Sequence, residues 1–381
     1  MRDPKQYDEH GRNNPLKPEQ LREHPYDFVS LPEAPARGQA VGHDRYFPNR
    51  LSGRLTLVYE TLEPLHVGSG AFETAAECGL RGGATPVRGI ARKLGKPVLP
   101  GSGWKGAVRA RFEAITGSRL GVQSRGGRIE DWKLPAELRP ADRDRKPVAV
   151  HLADPQTRAL RPLKRSNDEL RAGLDALSPA EALFGIMGYR GRIHPADGVV
   201  EGPAATEPLA VPPLESPAPH RLAKPGAARK TVDGRVEITQ VEGRKFYYDG
   251  PLVRARPSAR GEAGGPVQEL IDAVPAGCTI TIEVHVESVT EGELGALLAS
   301  AGFGEEVGIV RFGGYKPAGL GKVRLVDVRG ELRKGCSTDQ WRRSAGEPLD
   351  AARAVQAAHR ENLIDEAALS ELHQVTTRQR P

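Results

Sequence analysis

The run from Thr279 to Val289 constrains the fold of this chain more than any other feature. Ile280, Ile282, Val284 and Val286 fall on every second residue, with Thr281, Glu283 and His285 between them. A period of two puts the aliphatic set on one face of a strand and the polar set on the other, so one face needs a core. Leu51 to Leu65 repeats the pattern, with Leu55, Leu57 and Tyr59 alternating against Arg54, Thr56 and Val58.

Helix signals lie between these runs and beyond them. Pro100-Gly101 turns the chain, Ser102 is of the type that caps a helix, and Gly117 stops it, which predicts a helix from Ser102 to Thr116. Trp104, Val108, Phe112 and Ile115 fall at helical spacing and predict its buried stripe. Ser166-Asn167-Asp168-Glu169 and Ser178-Pro179-Ala180-Glu181 are capping boxes, the second with proline at the favoured first position and closed by Phe184-Gly185. Gly191 to Val200 reads as a strand, and Leu294, Leu297 and Leu298 mark a helix ending near Gly302. Val307 to Val310, the glycine-rich Phe312 to Gly321 and Val323 to Val328 complete the core.

The order strand, helix, strand, strand, helix, strand predicts an α+β chain with a modified ferredoxin-like, RNA-recognition (RRM-like) fold carrying large insertions. Three regions follow: an extended arm over 1–50, a core over 51–330 with insertions at about 118–180 and 201–276, and a charged tail over 331–381. The arm's isolated anchors, among them Tyr26, Phe28 and Tyr46, pack on its own core or on a neighbouring subunit. Residues from Gly70 to Lys96 read as loop, Gly202 to Gly226 as a Pro/Ala-rich linker with no core, and Leu349 to about Leu372 as a helix.

Composition narrows the function. Only 38% of the 381 residues are hydrophobic, beside 44 glycines and 32 prolines, which fits a modest core with long loops. A formal net charge of +6 suits a polyanionic partner. Cys78, Cys278 and Cys336 are far apart and form no Cys-x-x-Cys pair, which argues against a zinc ribbon or a disulfide framework. Met1 to Gln6 lacks the apolar run of a signal peptide, and no stretch approaches the roughly 20 apolar residues of a membrane helix. A soluble, cytoplasmic protein with no membrane partner is expected.

The strongest chemical signal is the helix start. Free amides near Ser102, Lys105 in the first turn and Arg109 four residues later on the same face suit an anion such as a backbone phosphate. In Gly313-Gly314-Tyr315-Lys316-Pro317-Ala318-Gly319-Leu320-Gly321-Lys322 the glycines let amides approach an anion, the lysines add charge, and Tyr315 offers a ring to a base. The same stretch also reads as an ordinary turn. It lacks the Gly-Lys-Ser/Thr ending of a nucleotide-hydrolase loop. Lys245-Phe246-Tyr247-Tyr248 interleaves a base with aromatics; Phe246 reads as core and Lys245 or Tyr247 as the contact. His66 either lines a groove or is a buried, hydrogen-bonded histidine. His43-Asp44 has no companion carboxylates at metal spacing, so neither a metal nor a cofactor is expected. The basic residues of 118–165, such as Arg125, Arg139 and Lys146, read as a solvated surface or as a clamp on phosphates.

Four motifs in order resemble the RAMP superfamily, the RNA-binding subunits of type III CRISPR effector complexes. They are His66-Val67-Gly68-Ser69-Gly70 after a strand; Pro100-Gly101-Ser102-Gly103-Trp104-Lys105-Gly106 at a helix start; Phe184-Gly185 followed by Gly191-Arg192-Ile193 and Asp197; and Phe312 to Gly321 before the last strand. The match spans roughly residues 51–330. Tyr26-Asp27-Phe28-Val29, His43-Asp44 and Leu51-Ser52-Gly53 are similar to a subgroup that carries an N-terminal arm. The resemblance implies a backbone subunit that binds CRISPR guide RNA and meets complementary target RNA and other RAMP-type subunits, in antiviral defence. The RNA-binding residues would be His66, Gly68, Ser69, Gly70, Ser102, Trp104, Lys105, Arg109, Lys245, Tyr247, Gly313, Gly314, Tyr315, Lys316, Gly319 and Lys322.

The sequence departs from the family pattern at Gly103 and Trp104, where a second serine and an aliphatic are usual. Subunits that cut target RNA carry an aspartate just before Asn-Pro-Val/Ile, and here the nearest match is Ala84-Thr85-Pro86-Val87. Alanine can neither bind a metal nor assist an attack, so a subunit that binds without cutting is expected. An endoribonuclease would need His66 paired with a lysine or tyrosine, or Glu73 and Glu77 holding a divalent ion. A pure assembly subunit would use the arm and tail helix alone.

Overall fold

The structure is a computed structural model. It describes residues 25–44, 46–78, 85–120, 128–129, 148–152, 177–186, 188–202, 206–214, 224, 227–230, 236–238, 240–253, 269–335 and 346–379. The capping box at 166–169, most of the basic insertion, Ala84 and Cys336 lie outside these residues.

In chain order the first elements are β1 (Tyr26–Val29), β2 (Leu51–Thr61), β3 (Gly68–Thr74), β4 (Pro86–Ile90), β5 (Arg92–Lys93), β6 (Lys96–Leu99) and α1 (Gly101–Ile115). The middle holds β7 (Arg128–Ile129), β8 (Val148–Leu152), α2 (Pro179–Phe184), β9 (Ile193–Pro195), β10 (Gly198–Glu201), β11 (Glu207–Val211), β12 (Ala228–Lys230), β13 (Val236–Ile238) and β14 (Arg244–Tyr247). Then come β15 (Glu269–Ala273), β16 (Thr279–Val289), α3 (Glu291–Ala301), β17 (Val310–Arg311), β18 (Lys322–Lys334), β19 (Glu347–Pro348), α4 (Ala351–Arg360) and α5 (Glu366–Thr377).

The main sheet runs β17-β18-β2-β16-β10-β6-β5, with β9 on β16 and β19 on β18, and its pairings are antiparallel. Register sets Leu57 opposite Ile282 and Leu55 opposite Val284, so the two alternating stripes share one face. All four are at most 1% exposed, under a layer formed by α1 and α3. The α1 stripe is as its spacing predicts: Trp104, Val108 and Phe112 have no exposure and Ile115 has 1%. Burying side chains of this size stabilises by about 1.5–3 kcal/mol each. α3 starts at a capping box of Thr290 and Glu293 and stops at Gly302, whose φ of +107° favours glycine.

A second sheet, β11-β15-β4-β3, corrects two readings. The described residues of 70–96 are not loop but strands, β3 paired with β4 and β5 with β6, with Val87 and Ile90 buried. The Pro/Ala-rich linker contains β11, whose Leu209 and Val211 bury against Ile271, Tyr315 and Leu320. Pro208 is tolerated because β11 is an edge strand.

The arm packs on its own chain. β1 pairs with β14, the Ser30 N–H donates to Glu371 Oε2 (2.7 Å), and the Gly38 N–H to the Leu177 carbonyl (2.6 Å). Where a single helix over 349–372 is expected, the described residues of the tail form two. Asn362 takes a left-handed φ of +51°, and the Asp365 side chain caps the next helix through the Ala367 and Ala368 amides. α4 crosses α3 so closely that a Cβ at Gly295 would lie 1.9 Å from the Ala354 carbonyl oxygen. α5 lies against α1 and β1 and adds Leu369 and Leu372 to the core.

Candidate nucleic-acid interface

Two clasps gather the four motifs. In the first, the chain leaving β2 carries His66 against the glycine-rich loop between β17 and β18. The Gly314 N–H donates to the His66 carbonyl (2.8 Å). Gly313, at φ +71°, packs so tightly that a Cβ would come within 2.2 Å of that oxygen. The imidazole is only 3% exposed, and its Nδ1 lies 2.6 Å from the Asp272 carbonyl. A carbonyl can only accept, so Nδ1 carries the proton and Nε2 presents a lone pair. Burial pushes the His66 pKa below the ordinary histidine value, against the opposing pull of Asp272.

A chain of contacts fixes that ring. Tyr315 meets it edge-on at 5.5 Å between centroids, and the Tyr315 hydroxyl donates to Glu269. Glu269 also accepts from Arg88 (2.8 Å), whose guanidinium lies 4.9 Å above the ring of Phe72, a side chain 63% exposed. On the other side the Asp272 carboxylate accepts from Arg92 (2.6 Å) and Thr206 (2.9 Å). The sequence reading missed Phe72, Arg88, Arg92, Glu269 and Asp272. The one available signal was Phe72, a lone aromatic beside an exposed glycine run.

The second clasp is built around the start of α1. Its cap position is Pro100, which has no capping side chain, and Ser102 lies exposed in the first turn, so the expected serine cap is not used. Asp197 serves from outside: its Oδ1 accepts from the Gly101 N–H (3.1 Å) and its Oδ2 from Lys93 (3.1 Å). The Gly101 hydrogen bond, then Lys93, hold the Asp197 carboxyl below the ordinary value, so a negative charge already sits at this helix end. Half-buried Lys105 donates to the Ile193 carbonyl (2.9 Å), and burial, then Arg109, lowers its pKa. Arg109 donates to Glu113 (2.7 Å) and to the Gly185 carbonyl (2.9 Å). The Phe184-Gly185 and Gly191-Arg192 motifs are themselves a backbone contact, since a Cβ at Gly191 would stand 2.4 Å from the Phe184 carbonyl oxygen.

Other expected contacts are placed differently. Trp104 has no exposure and donates to the Tyr59 hydroxyl (3.0 Å), and Tyr315 is 5% exposed; both rings belong to the interior and neither is free to stack on a base. Their positions follow from the inward stripe of α1 and from the small core under β11. Gly319 is buried, because a Cβ there would meet the Pro251 carbonyl oxygen at 2.6 Å. Lys322 pairs with Asp249 (2.9 Å). Lys316 is half-buried, with its pKa lowered by burial and then by Arg311 and Lys245. Lys245 is exposed, its ammonium 4.6 Å from the Tyr26 ring and 5.0 Å from that of half-buried Tyr247. Gly68, Ser69 and Gly70 are exposed at the start of β3.

Glu73 accepts from the Cys78 thiol (3.3 Å), and Glu77 accepts from the Thr74 amide (2.7 Å). Glu73, Cys78 and Asp272 bring ligand atoms within 4.8 Å of one another, a donor set suited to a soft divalent ion. Asp272 is already paired with Arg92, and burial, then Glu73, push the Cys78 thiol up to about 11.

Gly103 and Gly106 stand apart from the packed glycines. Both are exposed on α1. A Cβ at Gly103 would find its nearest neighbour at 3.8 Å, and one at Gly106 would find nothing within 4 Å. Glycine in a helix interior costs about 1 kcal/mol relative to alanine, and no internal contact offsets that cost at these positions.

The architecture is that of a mixed α+β protein with an antiparallel main sheet and few helices. The sequence model of the RAMP superfamily matches residues 58–324, more than half of the chain, and the chain belongs to that superfamily. Membership indicates a CRISPR-associated role with RNA binding. No curated protein matches the chain. Among the described residues no helix is long and apolar enough to cross a membrane.

Proposed function

We propose that this chain is a guide-RNA-binding backbone subunit of a type III-like CRISPR ribonucleoprotein effector, acting in the cytoplasm, and that it grips RNA without cutting it. The bare outer face of α1 carries the reading. Gly103 and Gly106 weaken the helix without relieving any internal clash, so their missing side chains serve something outside the chain. That face lies beside the exposed Ser102 and the Lys105 ammonium, and a sugar–phosphate backbone fits there where a side chain would block it. The exposed Gly68-Ser69-Gly70 run beside His66 offers a second bare stretch.

In this reading β2, α1, β10, β16, α3 and β18, with strand order β18-β2-β16-β10, form a modified ferredoxin-like, RRM-like core. Guide RNA, complementary target RNA and other RAMP-type subunits are its partners. Ala84 supports binding without cleavage. The occupied state of the rival catalytic groups supports it too: the Tyr315 hydroxyl is bonded to Glu269 with its pKa pushed up by burial, and Glu73 and Glu77 are held by Cys78 and Thr74.

The test is to express the full chain with its neighbouring genes and a guide array and to sequence the RNA that copurifies. Uniform guide RNAs are expected. Random host RNA, or none, would replace this reading with that of an assembly subunit. Cleavage of complementary RNA that is lost on changing His66 would replace it with that of an endoribonuclease.

A further inference from the structure

We propose that His66 Nε2 accepts a hydrogen bond from the 2′-hydroxyl of a bound ribose, and that through this contact the chain selects RNA over DNA. The inference rests on the RNA-binding reading above and specifies one contact within it.

The carbonyl of Asp272 fixes the tautomer, so Nε2 is an acceptor, and among the described residues nothing hydrogen-bonds it. The ring cannot swing to satisfy that lone pair elsewhere. Tyr315, anchored on Glu269, braces one edge, and the backbone of Asp272, whose side chain is tied to Arg92 and Thr206, holds the other. The way to Nε2 passes residues without side chains: a Cβ on Gly68 would lie 3.2 Å from Nε2, and one on Gly314 would lie 3.7 Å from Cδ2. Gly68 and the two residues after it are exposed.

A lone pair needs a donor. A phosphodiester has none, so a phosphate oxygen would face Nε2 unfavourably. Base edges carry donors, but a protein that holds guides of any sequence cannot rely on them. The 2′-hydroxyl is the one hydrogen-bond donor on the RNA backbone, it is present at every nucleotide, and DNA lacks it.

The experiment titrates the full chain with oligouridine and oligoadenosine whose sugars are ribose, 2′-fluoro or 2′-deoxy. A 2′-fluoro sugar keeps a ribose-like pucker and the backbone charge but cannot donate, so it isolates the hydrogen bond. Ribose oligomers of both bases are expected to bind about three- to tenfold more tightly than their 2′-fluoro counterparts, the worth of one hydrogen bond. His66→Phe should bind ribose and 2′-fluoro alike, and Gly68→Val, which covers Nε2, should do the same. The unsubstituted protein decides the matter even if His66→Phe fails to fold. Equal binding of ribose and 2′-fluoro oligomers overturns the inference and leaves the RNA-binding reading standing. A preference that follows the base and not the sugar also overturns it, since Nε2 would then face a base amine. No binding to any oligomer removes the RNA-binding reading itself.

Discussion

The guanidinium of Arg192, shut off from solvent entirely, holds the carboxylate of Glu293 with 2.8 Å between Nη1 and Oε2. Arg50 approaches the same oxygen at 3.1 Å, and both arginines also donate to the Ser288 carbonyl. Because Glu293 caps α3 through the Thr290 amide (2.9 Å), this knot joins the entry to β9, the end of β16 and the start of the second core helix. The Gly-Arg-Ile motif is thus a device for closing the core.

Removing one partner of such a pair strands a buried charge. Arg192→Met is expected to destabilise the protein by about 3–5 kcal/mol, read as a lower urea midpoint. Desolvation alone would raise the Glu293 pKa, but the Arg192 hydrogen bonds and charge outweigh it and hold the pKa below the ordinary value. A depressed folded-state pKa contributes stability that is complete above the unfolded-state value and is lost as pH falls through the folded one. Thermal melts should therefore show an acid limb beginning near pH 4.5, the ordinary glutamate value. Glu293→Gln should flatten it; an unchanged limb would assign acid sensitivity to other carboxylates.

Two glycines on two helices should respond in opposite ways. Gly295→Ala forces a methyl group against the Ala354 carbonyl and should lower stability by about 1–3 kcal/mol or more. Gly106→Ala enters open space and should raise stability by about 0.5–1 kcal/mol while weakening RNA binding. Tighter folding with unchanged RNA affinity would remove the bare helix face from the interface.

Lys105 and Arg109, the two cations of the helix-start motif, differ in their neutralisation. Arg109 is paired with Glu113, whereas among the described residues Lys105 has a carbonyl and no carboxylate. Lys105→Met should make RNA affinity less dependent on salt, lowering the log–log slope by about one. Arg109→Met should leave the slope alone and lower the melting temperature. Equal slopes for all three proteins would place the phosphates elsewhere.

Cys78 offers a pH readout beside the histidine site. With its pKa raised to about 11 by burial and by Glu73, roughly one thiol in a thousand is ionised at pH 8. Iodoacetamide labelling should accelerate about tenfold per pH unit between pH 8 and 10, and Glu73→Gln should increase the rate at pH 8. Fast labelling of the unaltered protein at neutral pH would contradict the Glu73 contact.

What the chain revealed in advance depended on whether one local period governed the outcome. The strand at 279–289 and the stripe of Trp104, Val108, Phe112 and Ile115 were legible because burial of a single face dictates every second residue, or every third and fourth. β11 was not: two buried residues in a proline-containing edge strand make no period. At the site, Lys105 and Arg109 were legible as cations at a helix start, but their acceptors on Ile193 and Gly185 lie 88 and 76 residues away, beyond any local pattern. Tyr315 shows the cost of reading an aromatic by its neighbours in sequence. It sits in a motif that points outward, yet its ring turns inward because a core position was open to it.

The hydrogen bond from the Ser30 amide to Glu371 spans 341 residues, and it orders events during translation. The arm leaves the ribosome well before its sheet partner β14 and the helix beneath it. Tyr26 and Phe28 must therefore wait undocked while the chain lengthens, since long-range contacts form only after their partners emerge. A nascent chain paused before residue 366 would leave α1 without the cover of α5 and the arm without its anchor. Such a chain is a natural client for a holding chaperone until synthesis passes that point.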